Sequence, residues 1–208
     1  MKLRLAWRWA VLAGWCFAVS GQVIEFESNG LKYQTLTKRG VTIMYAHLPS
    51  HVREFSILQV AVSNGSPGPY TVRPVDFSFQ RQDGTALRAW PAREVVELLI
   101  EKGGRNDVIK LVSAYEAALY GIPKMKSTNG YEVRRQAALA EVSSTKLKAA
   151  AAASAIAFVD TKLGSGQSTD GAVFFETSGR ALGEGRLVVR TNTDTFEFNP
   201  ETLRPPGP

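Results

Sequence analysis

Apolar and polar residues alternate along most of residues 23–89, the period of strands that bury one face. Leu31, Tyr33 and Leu36 fall in one run, and Val41, Ile43, Tyr45 and Leu48 in the next. Between them Lys38-Arg39-Gly40 fits a short hairpin loop, with Gly40 free to take positive φ. Residues 55–63 are apolar on both faces through Ile57, Leu58, Val60, Ala61 and Val62, as a central strand is. That run ends at Asn64-Gly65-Ser66-Pro67-Gly68-Pro69, a stretch of turn formers and ladder breakers. Residues 70–72 read as a further strand, and Phe77 and Phe79 recur at period two. Asp83-Gly84 then signals a hairpin that leads into residues 86–89.

At Trp90-Pro91 the period lengthens. Pro91 suits a first helical turn, and Val95, Val96, Leu98, Leu99 and Ile100 follow on a helical stripe. Gly103-Gly104 stops that helix, and Asn106 or Asp107 is placed to cap a second. This one carries Val108, Leu111, Val112, Tyr115 and Leu119 towards Gly121 and Pro123. Asn129 with Glu132 resembles a capping box and opens a single long helix expected over residues 129–158. Its many alanines are strong helix formers and allow close approach of a neighbouring backbone. A tight packing contact is therefore expected along Ala149–Ala153.

Period two returns after a polar, glycine-rich turn expected over residues 164–171. Val173, Phe174 and Phe175 mark one strand, and residues 187–191 and 195–198 supply two more. The count is about nine or ten short strands, split by roughly 70 helical residues, and short strands with regular turn signals suggest a β-sandwich. The fold class expected is α+β: an antiparallel sandwich with an α-helical insertion. Residues 22–89 form its N-terminal part, 90–160 the insertion, 161–199 the C-terminal strands of the same sandwich, and 200–208 a flexible tail.

Three stretches, Leu58-Gln59-Val60-Ala61-Val62-Ser63-Asn64, Val72-Arg73-Pro74-Val75-Asp76-Phe77 and Asp83-Gly84, carry a resemblance. So do Leu163, Gly166-Gln167-Ser168-Thr169-Asp170-Gly171, Val173-Phe174-Phe175 and Leu187-Val188-Val189. Together they resemble immunoglobulin-like sandwiches of secreted bacterial proteins. The resemblance implies that fold, export and a binding role outside the cytoplasm. It brings no catalytic residues, and the helical segment departs from the plain sandwich.

The N-terminus changes the picture of location. Lys2, Arg4 and Arg8 precede an apolar run from Trp9 to Val19, closed by Ser20, Gly21 and Gln22. A basic start, a short apolar core and small residues at its end are the three parts of a secretory signal peptide, here residues 1–21. A membrane span needs roughly 20 apolar residues, and Ser20, Gly21 and Gln22 interrupt this stretch before that length. Leu12, Ala13 and Gly14 approach a lipoprotein motif, but Trp15 precedes Cys16 where a small residue belongs. The absence of an arginine pair before the apolar run favours the general secretory route. Removing residues 1–21 takes away three cations and lowers the net charge from +6 to +3. It also removes the sole cysteine, leaving no disulfide and no thiol chemistry.

Candidate chemistry is sparse. His47 and His51, with Glu54 nearby, invite a metal reading, but Pro49 and the strand pattern rule out a shared helical face. Neither a metal nor a cofactor is expected. Gly164-Ser165-Gly166 reads as a turn and not as a nucleophile elbow. The pairs Glu94 with Glu97 and Asp76 with Asp83 read as ordinary acids, and Gly183-Glu184-Gly185 as a hairpin turn. Lys124, Lys126, Arg134, Arg135, Lys146 and Lys148 gather in a span whose acids are Glu132 and Glu141. They form a candidate surface for an anionic partner. Aromatic interleaving is absent, so nucleic acid is not expected.

The function expected is a secreted or periplasmic binding or structural module of the cell envelope, without catalysis. Its partner would be a protein or an anionic envelope component. The alternatives are an envelope-surface protein that binds anionic lipid or polysaccharide through the basic helical segment, and a hydrolase with a cleft between helices and sandwich. Export makes a direct prediction: intact mass of the protein recovered from its host starts at Gly21 or Gln22. Full-length protein in the cytosol would overturn the localisation.

Overall fold

The computed structural model describes residues 21–119, 131–140 and 143–199. The alternating N-terminal half forms β1 (Val23–Ser28), β2 (Leu31–Lys38), β3 (Val41–Val52), β4 (Phe55–Asn64), β5 (Tyr70–Val72), β6 (Phe77–Arg81) and β7 (Ala86–Trp90). Helices α1 (Ala92–Lys102), α2 (Arg105–Leu119), α3 (Tyr131–Ala140) and α4 (Thr145–Ile156) follow. The chain closes with β8 (Thr161–Leu163), β9 (Ser168–Glu176), β10 (Gly185–Arg190) and β11 (Thr195–Glu197). The class is α+β, and the ladders between these strands are antiparallel.

Nine strands form one sheet in the order β1-β2-β3-β4-β9-β7-β6-β10-β11, and β5 pairs with β8 apart from it. β9 joins the two halves. It pairs with β4 from Phe55↔Glu176 to Ser63↔Ser168, but with β7 only at Ala89↔Phe175 and Trp90↔Phe174. The sheet curls at this short junction, so that the inner faces of its halves meet. Tyr45 on β3 meets Phe198 edge-on with ring centroids 5.0 Å apart, and Phe79 on β6 meets Phe175 at 6.4 Å. At the far end Lys38 Nζ donates to the Thr195 carbonyl at 2.6 Å and ties the β2–β3 turn to β11. Strands β9, β10 and β11 thus share one sheet with β4, as the apolarity of Val173, Phe174 and Phe175 leads one to expect, while β8 pairs with β5.

Turn chemistry sets the register of the first three strands. Asn29 and Gly30 have φ of +49° and +73°, and Arg39 and Gly40 +48° and +82°. Positive φ at both central residues is the geometry whose twist matches a two-residue hairpin. Asn64, fully buried, closes the opposite end. Its amide nitrogen donates to the carbonyls of Gly68, Leu163 and Gly164 at 2.8–3.2 Å, and its oxygen accepts from Ser66. One side chain therefore holds the loops after β4 and β8 together.

The helices cover the outer face of β2, β3, β4 and β9. Leu31, Tyr33, Phe55, Ile57 and Phe174 pack there against Val95 and Leu99 of α1, Leu111 and Tyr115 of α2, and the alanines of α4. β4 is buried on both faces because Leu58, Val60 and Val62 point the other way, into the curl. Tyr33 Oη donates to the Ala118 carbonyl at 2.9 Å. Arg53, in the β3–β4 turn, donates to Asp107 at 2.9 Å and to the Lys102 carbonyl, and so clamps the α1–α2 junction. Asp107 accepts from Gly104 N at 2.8 Å, so α2 starts at Arg105, earlier than the cap expected at Asn106 or Asp107.

Two further expectations change. The single helix over 129–158 is replaced by α3 and α4, and Asn129 lies outside the described residues. The run Ser143-Ser144-Thr145 accounts for the start of α4, because hydroxyl side chains compete for backbone partners and favour helix starts. Ser144 is extended at φ −77°, ψ 135°, and its carbonyl accepts from Lys148 N at 2.9 Å. The polar turn expected over 164–171 ends at Gln167, and β9 already begins at Ser168. Gly171 explains its inclusion: a Cβ there would stand 2.5 Å from the Cα of Phe158. Glycine thus lets the segment leaving α4 lie on β9, where Phe158 N donates to the Ala172 carbonyl at 2.9 Å.

Two stability predictions follow from this packing. Ala150 and Ala153 are 4% and 0% exposed, so replacing either with Leu overpacks the contact and costs ~1–3 kcal/mol in chemical denaturation. Gln59 on β4 is fully buried, and neither its amide nitrogen nor its oxygen has a hydrogen-bond partner. Gln59→Met keeps the volume and removes those groups, and is expected to raise stability by about 1–3 kcal/mol.

Candidate functional site

The inner face of the first half is built in rows that run across the strands. The register aligns Val23, Leu36, Ile43 and Val62 in an apolar row beneath the second half of the sheet. The next row is Glu25, Gln34 and Tyr45, and the one after it begins with Glu27 and Lys32. His47 pairs with Leu58 and stands next along β3 from Tyr45 on that face. Strands β1, β2 and β3 therefore turn from apolar to polar in the same direction, while β4 stays apolar along this face. Cover by the second half of the sheet runs out along the polar rows, from Tyr45, buried against Phe198, to Glu25, Glu27 and Lys32, which are exposed. They line a cleft of about 550 Å³, bounded on its far side by Gln82, Gly183, Glu184 and Gly185.

Cross-strand alignment produces a fixed hydrogen-bond chain. Tyr45 Oη donates to Gln34 Oε1 at 2.7 Å, and Gln34 Nε2 donates to Glu25 Oε1 at 2.5 Å. Burial, and secondarily the Glu25 charge, push the Tyr45 phenol well above its usual range. Its proton is held, and the row presents a neutral phenol, an amide and a carboxylate in set orientations. His47 lies between Tyr45 and Phe79, with both ring centroids 5.6 Å away and the Phe79 contact edge-on. The two aromatic rings flank the imidazole, and the residue is otherwise exposed to the cleft. The lost hydration lowers its pKa, so at neutral pH His47 is uncharged. Among ionised side chains lining the cleft, Glu25, Glu27 and Glu184 face a single cation, Lys32, and the site is negative within a chain whose net charge is positive.

His47 and His51 do not converge. The β3–β4 register shifts between them, and His51 sits beside Arg53, Arg105, Asn106 and Lys110 in a separate hollow. Glu54 occupies the β3–β4 turn, where its carbonyl accepts from Thr177 N at 2.8 Å. Among the described residues no group of three or more His, Cys, Asp or Glu side chains is arranged to hold a metal ion. Asp76 is committed to Arg73, accepting from its backbone and guanidinium at 2.8 Å, and Asp83 accepts from Thr85 N at 2.8 Å. Glu97 pairs with Arg93 along one exposed helix face, while Glu94 is exposed in the first turn of the same helix. Ser165 lies in a turn whose Gly166 N donates to the Asn64 carbonyl at 2.6 Å.

The six basic residues divide. Lys124 and Lys126 lie outside the described residues, as does the side chain of Arg135. Arg134 donates to the Ala155 carbonyl at 3.0 Å, and Lys146 to the Glu101 carbonyl at 2.9 Å. Both meet carbonyls in the last turn of another helix, where a cation offsets the helix dipole. Lys148 is half-buried at the start of α4. In the described structure, then, Arg134 and Lys146 hold helices together. The cleft itself escaped sequence reading, because Glu25, Gln34 and His47 are far apart in the chain and only the strand register aligns them. The one available signal was alternation that ends in polar residues at matching strand ends.

The lowered His47 pKa carries a sign. In the unfolded chain the imidazole takes up its proton at about 6.5, while in the fold it resists until lower pH. Stability is therefore complete above the unfolded value and declines as pH falls through the folded one. His47→Phe is expected to flatten this decline, which melting curves at neutral and mildly acidic pH would measure. An equal decline in both proteins would exclude His47 as its source. Comparison with protein-family models, with curated proteins and with solved structures finds no match to this chain.

Proposed function

We propose that the chain is an exported, non-catalytic binding module of immunoglobulin-like sandwich type, and that its ligand occupies the cleft at the open end of the curl. The observation that carries this reading is the hydrogen-bonded row Tyr45–Gln34–Glu25, fixed by register, which runs from Tyr45, buried under the second half of the sheet, out to the exposed Glu25 in the cleft. Preorganised donors and acceptors on rigid strands favour recognition. Chemistry is less favoured there. The Tyr45 proton is held too tightly to leave near neutral pH, and His47 packs against aromatic rings. Export rests on the basic and apolar N-terminal pattern of residues 1–21. The sandwich assignment rests on short antiparallel strands whose two inner faces share one apolar core. Binding of anionic lipid or polysaccharide by the helices is less favoured, because Arg134 and Lys146 direct donors at helix-end carbonyls.

A broad hydrolase screen on purified protein, run beside His47→Ala, tests the reading. No turnover is expected from either protein. Turnover that disappears in His47→Ala would replace the binding module with an enzyme.

A further inference from the structure

β1 is the edge of the nine-stranded sheet and one wall of the cleft. Its pairing with β2 leaves one side of its backbone facing outward. In a two-residue hairpin the pair next to the turn exchanges both hydrogen bonds, and alternate pairs do not. Ser28↔Leu31, Phe26↔Tyr33 and Ile24↔Thr35 are therefore the bonded pairs. Val23, Glu25 and Glu27 turn their N–H and C=O groups to the outer side, and no strand among the described residues pairs there.

The side chains of β1 are sorted by face. Glu25 and Glu27 stand on the inner face with the cleft, and Ile24 and Phe26 on the outer face. Ile24 is 59% exposed and Phe26 37%, and Phe26 stacks on Tyr33 with centroids 5.1 Å apart. A free strand edge thus carries acids on one side and open apolar surface on the other. Two copies joined edge to edge in antiparallel register would bring their acids together on the inner face, with Glu25 opposite Glu25 in the symmetric case. Like charges directly opposite destabilise a ladder, and inward acids guard an edge against its own kind.

We propose that β1 takes an added strand from a partner protein, an extended segment in which basic residues alternate with apolar ones. This deepens the binding-module reading by naming the partner of the same cleft. The added backbone pairs with Val23, Glu25 and Glu27. Its basic residues lie over the cleft beside Glu25, Glu27 and Glu184, and its apolar residues cover Ile24 and Phe26 on the other face. Main-chain bonds supply affinity in this mode, and alternate side chains supply the choice of partner. His47, uncharged at neutral pH, leaves the negative field of the cleft unopposed except at Lys32.

The probe is a short peptide of alternating lysine and valine, titrated against the purified protein by calorimetry. Its controls are a peptide of the same composition with the lysines and valines in two blocks, and the alternating peptide N-methylated at every second residue. The alternating peptide is expected to bind. Blocking its pairing edge by N-methylation, at unchanged charge, is expected to weaken it by roughly tenfold or more. Charge reversal at exposed positions, Glu25→Lys with Glu27→Lys, is expected to abolish binding, and raised salt to weaken it. Equal binding of all three peptides would overturn strand addition in favour of charge alone. No binding by any would also overturn it, while leaving the binding-module reading to the hydrolase screen. Insensitivity to both charge reversal and salt would remove the acidic face from the proposal.

Discussion

The antiparallel ladder between β4 and β9 is the contact on which the rest of the structure depends. It joins residues 55–63 to 168–176 across the whole helical segment. Long-range pairing of this kind carries a large loop-closure cost, and burial on both faces offsets it. On one face Leu58, Val60, Val173 and Phe175 enter the curl. On the other Phe55, Ile57, Ala172 and Phe174 meet the helices. Gly171 then lets the chain that leaves α4 settle on the same strand. The helical segment is thus held at both ends by β9, through Trp90 where β7 pairs with Phe174 and through Phe158.

The same ladder decides where the cleft lies. Because β9 touches β7 at only two residue pairs, the second half of the sheet folds over the first without covering all of it. The covered rows are apolar and the uncovered rows polar, so the boundary of the cleft is a boundary in hydration. Tyr45 stands on it, buried beside Phe198 yet hydrogen-bonded to Gln34. A buried phenol needs such a partner, and the partner it finds belongs to the neighbouring strand. The polar row and the core packing meet in that one side chain.

The helical layer illustrates how charge can serve packing. Small residues on α4 bring helices close enough for cations of one to reach carbonyls at the end of another, as Lys146 does at Glu101. Arg53 performs the corresponding task between sheet and helices, bound to Asp107 and the Lys102 carbonyl. Read along the chain, these cations resemble a solvated patch. In three dimensions they fasten one layer to the next.

Much of the fold was legible in the chain. Period two gave the strands, the Lys38-Arg39-Gly40 and Asp83-Gly84 signals gave hairpins, and Trp90-Pro91 marked the change to helix. These are local matters, set by backbone sterics and by which side of an element meets water. The double-sided burial of β4 was legible too, from its unbroken apolar run. The break between α3 and α4 was harder, since alanine-rich flanks argued for continuity while a run of hydroxyl residues argued against it. The inclusion of Gly171 in a strand depended on Phe158, thirteen residues away, lying against it. The cleft left one trace in the chain, polar residues at matching strand ends. Glu25, Gln34 and Tyr45 become neighbours only through the register of three strands, and Glu184 reaches them only because the sheet curls. The sequence by itself determined which segments are strands and helices and which of their faces are apolar, because those depend on near neighbours and water. Tertiary structure alone decided which polar faces stayed uncovered and which charges met, because that depends on how strands distant in the chain align.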